Sequence, residues 1–408
     1  MSTSAAATTA LLCLVAVGCT CGGPDGVPEP GAAPTDAERA AFVRATNDLG
    51  WRVHTRLSPD EVNVVHSPAS VQLALAMVEA GAAGESSADL LAVLNGGQPE
   101  EGLERAARAV LRGWLVRPEG DGPVVVRSRV FADGLAAVRP RFEARLREGF
   151  GAGLTSLDFR GDPAGSEVEL ISWMQEGHPA APPIRLDEAT RLVVVSQLRF
   201  EGRWADPFPP GATNEQPFTR ADGEVVRVPT MWLSAELPYA EVDGVRCVEL
   251  PYEDRRFGLL LVRPGAGTGT LHELEPSAER LDLWVGSLEG RSIELSLPRF
   301  SLSAQTHELV EPLSELGLAR VFDRQRADLS RMLYGDEPLA VGALMQVAQI
   351  DVDETGTYAA ATTVASVVAA SASPEPVSVR FDRPFLFVLR DRETGIALFV
   401  GRVGDPSR

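Results

Sequence analysis

Few residues in this chain are placed to do chemistry by themselves. It carries five histidines, four cysteines and no lysine, so all 38 of its basic residues are arginine. That removes every mechanism built on a lysine amine: Schiff bases, pyridoxal chemistry, phosphate-loop binding and the kinase lysine. His54, His66, His178, His272 and His307 form no recognisable cluster, and no Gly-x-Ser-x-Gly elbow is present. His66 adjoins Ser67, but Ser67 followed by Pro68 reads as the cap and first turn of a helix. The run Gly265-Ala266-Gly267-Thr268-Gly269-Thr270 follows Arg263-Pro264 and reads as a turn. Cys13, Cys19, Cys21 and Cys247 suit neither a zinc site nor a disulfide framework. Cys247 lies in an alternating apolar segment and is expected in the core. An enzyme is therefore disfavoured, and no cofactor or metal site is expected.

Charge narrows the partners. Against 38 basic residues stand 57 acidic ones, a net charge of -19, which argues against nucleic acid or an anionic membrane face. Arg105, Arg108 and Arg112 share one possible helix, but Glu100, Glu101 and Glu104 lie beside them. A solvated mixed face is expected there, not a site for a sulfated polysaccharide.

One segment does not look like an ordinary element. Residues 357–373 hold no charge, no glycine and a single bulky side chain, Tyr358. A flexible linker would usually carry glycine, proline or charge, and threonine and valine disfavour a helix. Small, uncharged and often β-branched residues suit a strand that slides between neighbours. Permanently exposed, such a strand would invite aggregation. It is therefore either buried or held as a loop that can become a strand.

Around it the elements read as α+β. Helical spacing runs from Asp36 towards Ser58-Pro59, then from Ser67-Pro68 to Ala80, and again at 88–94, 103–111 and 139–147. A strand is expected at Asn63–His66 and another at 124–131. The run Leu192–Phe200 is almost continuously apolar, as in a central strand covered on both faces. Further strands are expected at 225–228, 247–250, 258–262, 293–297, 341–352, 377–381, 385–389 and 396–403, with helices at 281–288 and 309–316. Helices early and strands late exclude βαβ alternation. Nothing breaks the composition within 36–408, so one domain is expected.

The N-terminus is read separately. Residues 5–18 are small or apolar, too short to span a bilayer, and end in Ala16-Val17-Gly18-Cys19. Residues 1–18 read as an export signal, with Cys19 as a lipidation site, and a plain cleaved secretory signal stands as the alternative. Residues 19–35, rich in glycine and proline, read as a tether. The expected location is the bacterial cell envelope, lipid-anchored, or the exterior; the only membrane contact expected is that anchor.

Several ordered blocks carry a resemblance. Glu354-Thr355-Gly356-Thr357-Tyr358-Ala359-Ala360-Ala361-Thr362-Thr363 resembles the hinge of the reactive-centre loop of the serpins. Val379-Arg380-Phe381-Asp382-Arg383-Pro384-Phe385-Leu386-Phe387-Val388-Leu389 is similar to the segment that follows that loop. Asn63 to Ser70, Phe200-Glu201-Gly202-Arg203-Trp204, Glu249-Leu250-Pro251-Tyr252, Leu297-Pro298-Arg299-Phe300 and Ala327-Asp328-Leu329-Ser330 match further blocks in order. The likeness covers about 36–408. It implies helices packed around three β-sheets, with an exposed loop at about 354–376.

The resemblance also implies a function. A serpin is a suicide substrate: a serine or cysteine protease cleaves the loop, forms its acyl-enzyme and is trapped when the loop inserts into the large sheet. Counting Gly356 as the fifteenth residue before the cut puts the reactive bond at Ala370-Ser371, with 368-369 and 369-370 as alternatives. The inward side chains are then Thr357, Ala359, Ala361, Thr363, Ala365, Val367 and Ala369, with Tyr358 outward. A small apolar residue at the cut implies an elastase-like or subtilisin-like target. The resemblance also implies a monomer. At the point where the sheet opens, beside Ser67 and Ser70, relatives often pair a histidine with an asparagine. Gln346 and Ser196 stand there instead, so closure is expected without its pH sensitivity. The alternative is a non-inhibitory relative acting as a carrier, whose hinge would tend to be bulky, charged or interrupted by proline.

Overall fold

The most apolar helix of the sequence lies at the centre. In the computed structural model, which describes residues 31–57, 62–115, 123–134, 138–177, 186, 190–265, 271, 274, 276–335, 337–357 and 375–408, the helix Pro68–Glu79 is buried along its whole length. A helix apolar all round is stable only when surrounded. It is the second of the chain. The first is α1 (Asp36–His54), started by a Thr35–Glu38 capping box. After α2 (Pro68–Glu79) come α3 (Gly84–Asn95), α4 (Glu100–Leu115), α5 (Pro140–Phe150) and α6 (Pro163–Gly177). Later follow α7 (Ala278–Gly286), α8 (Val310–Leu313) and α9 (Ala319–Phe322), the last two joined by one wide turn with Gly317 at φ 102°.

Strands β1 (Asn63–His66), β2 (Val124–Asp133), β3 (Gly153–Leu157), β4 (Leu192–Phe200), β5 (Gly202–Arg203), β6 (Asn214–Thr219), β7 (Val225–Val242), β8 (Val245–Pro251) and β9 (Phe257–Pro264) precede α7. Then come β10 (Glu289–Pro298), β11 (Phe300–Glu308), β12 (Ala343–Val352), β13 (Gly356–Thr357), β14 (Val377–Arg380), β15 (Phe385–Asp391) and β16 (Ala397–Val403). A seven-stranded sheet joins β3, β2, β4, β12, β13 and β5, with β11 on the far side of β12. The other nine strands are connected through β7, which pairs β6 and β10 along its first part and β8 at its end. The expected second and third sheets thus share one long strand.

The helix α6 was not anticipated. Ser166, Leu170, Trp173 and Met174 are buried at helical spacing, and the last three pack with Val193, Val195, Met345 and Val347 over the outer face of β4 and β12. β3, β6 and β11 were also missed, and β7 extends fourteen residues beyond the expected 225–228. Pro229 reads in sequence as a strand breaker. In place, its carbonyl accepts from the Arg299 amide, so the strand runs on without its missing donor.

Candidate functional site

Two places along the β4–β12 line hold the residues singled out above. The lower is at mid-sheet. β4 and β12 pair in parallel from Val193 with Ala343 to Gln197 with Val347, which sets Ser196 opposite Gln346. The first turn of α2 sits beneath both. Ser67 caps it, its hydroxyl accepting from the Ser70 amide at 3.1 Å. The Gln346 amide side chain accepts from the Ser67 N–H at 3.0 Å and donates to the Ser67 carbonyl at 2.7 Å. The Ser70 hydroxyl donates to the Ser196 carbonyl at 2.8 Å, and Ser196 meets the Ser128 hydroxyl of β2 at 2.9 Å. Ser67, Ser70, Ser196 and Gln346 are therefore one buried cluster, and the start of α2 is fastened to both strands that a new strand would have to part.

Sequence reasoning missed what lies beside this cluster. His54 and His66 stack with ring centroids 5.4 Å apart, and the His307 Nε2 lies 2.8 Å from the Val65 carbonyl. Three of the five histidines gather here, from α1, β1 and β11, which corrects the reading that they form no cluster. Only the fold brings together positions so far apart in the chain. Burial, then the charge of Arg402, pushes His54 down to about 3; burial holds His66 well below its usual value as well. His54 and His66 are therefore neutral groups within the fold.

The upper place is the hinge. The chain leaves β12 at Val352, reverses and returns as β13. Asp353 makes the reversal: its Oδ1 accepts from the Thr355 amide and hydroxyl at 2.7 Å each and from the Gly356 amide at 3.1 Å. Glu354 is buried and accepts from Arg299 Nε at 2.8 and 2.9 Å, with the Thr213 hydroxyl as a further donor. Burial works against the Glu354 charge, but the Arg299 and Thr213 hydrogen bonds outweigh it and hold the carboxyl below its ordinary value. The Trp204 amide donates to the Thr355 carbonyl and its indole to the Asp353 carbonyl, both at 2.9 Å.

β13 lies antiparallel between β12 and β5, with Thr357 opposite both Val352 and Gly202 and Gly356 opposite Arg203. A Cβ at Gly356 would stand 2.0 Å from the Gly202 carbonyl oxygen, so only glycine fits there. Thr357 is 2% exposed, and its hydroxyl lies 2.7 Å from that of Tyr252. The sites Ala359, Ala360, Ala361, Thr362, Thr363, Ala370 and Ser371, and Cys19 at the other end, lie outside the described residues.

Elsewhere the sequence-derived expectations meet the structure directly. Cys247 is fully buried, and burial pushes its thiol up to about 12. Arg105 pairs with Glu38, and Arg108 donates to Glu104 at 3.0 Å and to the Glu148 carbonyl at 3.1 Å, so the arginine face of α4 is a mixed ion-pair surface.

Comparison with known proteins matches this architecture. A profile of the family described as Serpin (serine protease inhibitor) matches residues 44–406. A serine protease inhibitor of Cyanea capillata is 30% identical over 358 residues, covering 85% of this chain and 93% of the relative. The crystal structure of Serpin48, a highly specific serpin of Tenebrio molitor, superposes with a TM-score of 0.80 at 26% identity, covering 90% of this chain and 98% of that one. Thyroxine-binding globulin in complex with thyroxine shares the fold, with a TM-score of 0.79 at 20% identity over 89% of this chain and 99% of that one. With its central buried helix, its two sheets sharing β7, its hinge turning back between β12 and β5, and this match over nearly the whole length, the chain belongs to the serpins.

Proposed function

We propose that this serpin is a suicide-substrate inhibitor of serine endopeptidases, and by the same acyl chemistry of cysteine endopeptidases. The observation that carries this is β13: the hinge already runs in the direction, and between the strands, that an inserting loop requires. Continuing its register keeps Ala359, Ala361 and Thr363 on the inward face of the inserted strand, where small side chains fit above α2. Those residues lack charge, proline and bulk, and that favours insertion over a fixed carrier loop. α6 lies across the slot's lower part and has to shift as the new strand passes. The reactive bond is assigned by counting to Ala370-Ser371, and the target class to elastase-like or subtilisin-like proteases.

The test is incubation with pancreatic elastase and with subtilisin, followed by boiling in detergent and electrophoresis. The expected result is a covalent band at the summed mass, with amino-terminal sequencing of the released fragment beginning at Ser371. Cleavage of the loop by every protease tried, with the protease left active, overturns the reading in favour of a binding module. Residues 1–18 are proposed as the export signal and Cys19 as its lipid-bearing residue. Incorporation of labelled fatty acid that Cys19→Ala abolishes supports that; equal labelling of both forms overturns it.

A further inference from the structure

An inserting strand has to be nucleated, and here the nucleus is built into the uncut chain. Below Thr357, residues 198–201 and 348–351 carry no ladder to one another among the described residues, and direct pairing of β4 with β12 begins only at Gln197 and Val347. The sheet is splayed at its upper end, with one residue pair of the hinge seated in the mouth. Two glycines permit that close approach, Gly356 against the Gly202 carbonyl. What holds the seat is a side chain from the other sheet. Tyr252 directly follows β8, is 2% exposed, and has its ring stacked on Trp204 at 4.6 Å and met edge-on by Phe200 at 4.6 Å. The ring cannot turn away, so the hydroxyl is aimed at one place, and Thr357 Oγ1 occupies it.

We propose that Tyr252 is a positioning residue for inhibition: its hydroxyl holds Thr357 in the mouth of the sheet, so that insertion after cleavage propagates from a formed nucleus and outruns deacylation. This rests on the inhibitory reading above. Nucleation of an ordered segment is the slow, unfavourable part of its formation, and propagation is easier once the first contacts exist. If Thr357 withdraws, both hydroxyls lose their partner in a buried setting. The pair therefore sets how often the acyl-enzyme is trapped and how often it hydrolyses, without touching the reactive bond.

Two readouts test this. Hydrogen exchange of the uncut chain over residues 353–357 reports the seat alone. Tyr252→Phe keeps the ring and removes one hydroxyl, and exchange there is expected to quicken about fivefold, the effect of one net hydrogen bond. The second readout is the number of inhibitor molecules consumed per protease trapped. It is expected to rise severalfold in Tyr252→Phe and Thr357→Val, no further in the double variant, and to stay near the parent value in Thr357→Ser. Melting is measured on each variant. A lowered melting temperature with an unchanged consumption ratio assigns Tyr252 a merely structural role and overturns the proposal. Exchange and ratio both unchanged overturn it as well. If the parent traps no protease at all, the inhibitory reading falls, and the partitioning role falls with it; exchange then still decides whether Tyr252 holds the seat.

Discussion

Replacing Gln346 by methionine is the sharpest test of how the sheet is held shut. Methionine has nearly the same volume, so no cavity is opened. It removes both hydrogen bonds to the Ser67 backbone, leaving the N–H without a partner at a helix start that is sealed from water, while the C=O keeps the Val71 amide as its donor. The buried N–H left without a partner costs about 1–3 kcal/mol and the bond lost at the C=O about 1 kcal/mol, so the variant is destabilised by about 2–4 kcal/mol. Entropy of unfolding near 2 cal/mol/K per residue gives about 0.8 kcal/mol/K for a domain of about 370 residues, so the melting temperature falls by about 3–5 °C. Ser196→Ala is the contrast. It removes the Ser128 contact but leaves the Ser70 bond, which uses the Ser196 backbone carbonyl, so a fall of about 1 °C is expected. The assay is calorimetry of the uncut protein at one fixed scan rate, so that the comparison holds whether or not unfolding is reversible. A Gln346→Met protein melting within 1 °C of the parent, or no lower than Ser196→Ala, refutes the view that Gln346 fastens α2 to the opening strands.

Other outcomes follow from the charged groups. Arg299→Ala leaves Glu354 buried with the Thr213 hydroxyl as its remaining side-chain donor, and with Arg299 itself half exposed the loss is about 1–3 kcal/mol near neutral pH. The Glu354 carboxyl is depressed in the fold, so its stabilisation exists above the unfolded value near 4.5 and disappears as pH falls through the folded value. The melting gap between parent and variant should therefore narrow below about pH 4; a gap constant with pH contradicts the ion-pair assignment. Glu79 works in the opposite sense. Burial, resisted by the Ser87 hydrogen bond, raises its carboxyl from 4.5 to about 7, so its contribution is complete below 4.5 and is lost as pH rises to 7. Glu79→Gln is expected to remove part of the parent's fall in melting temperature between pH 5 and 7.5, and an unchanged slope would rule this out. His54, held down to about 3 against 6.5, favours the fold above 6.5 and is lost as pH falls towards 3. His54→Phe should accordingly flatten the acid limb of the stability curve, while an equally steep limb in the variant would place the acid sensitivity elsewhere.

The two halves of the site were legible to different degrees. The hinge could be read because the proposed insertion constrains composition: a segment that is to slide between strands has to be small, uncharged and free of proline over consecutive residues. The N-cap at Ser67 and the central strand β4 were legible for the same reason, since capping chemistry and burial on both faces leave local signatures. α6 has a helical stripe, Leu170, Trp173 and Met174, but charged neighbours and a small-residue start obscure it. β7 was cut short because proline is judged as a breaker wherever it stands, whereas its effect depends on which way its carbonyl and missing donor point. The histidine trio left no local mark at all, since its members come from α1, β1 and β11.

By itself the sequence determined the composition of segment 357–373 and the order of the family's blocks, because each depends on residues adjacent in the chain. Only the tertiary structure decided that Gln346 reaches the Ser67 backbone across the sheet, that neutral histidines crowd the same place, and that Tyr252 from the other sheet meets Thr357 in the mouth of the slot. Those contacts depend on the register of strands and on which face each side chain takes, and register is set by the packing of the whole core.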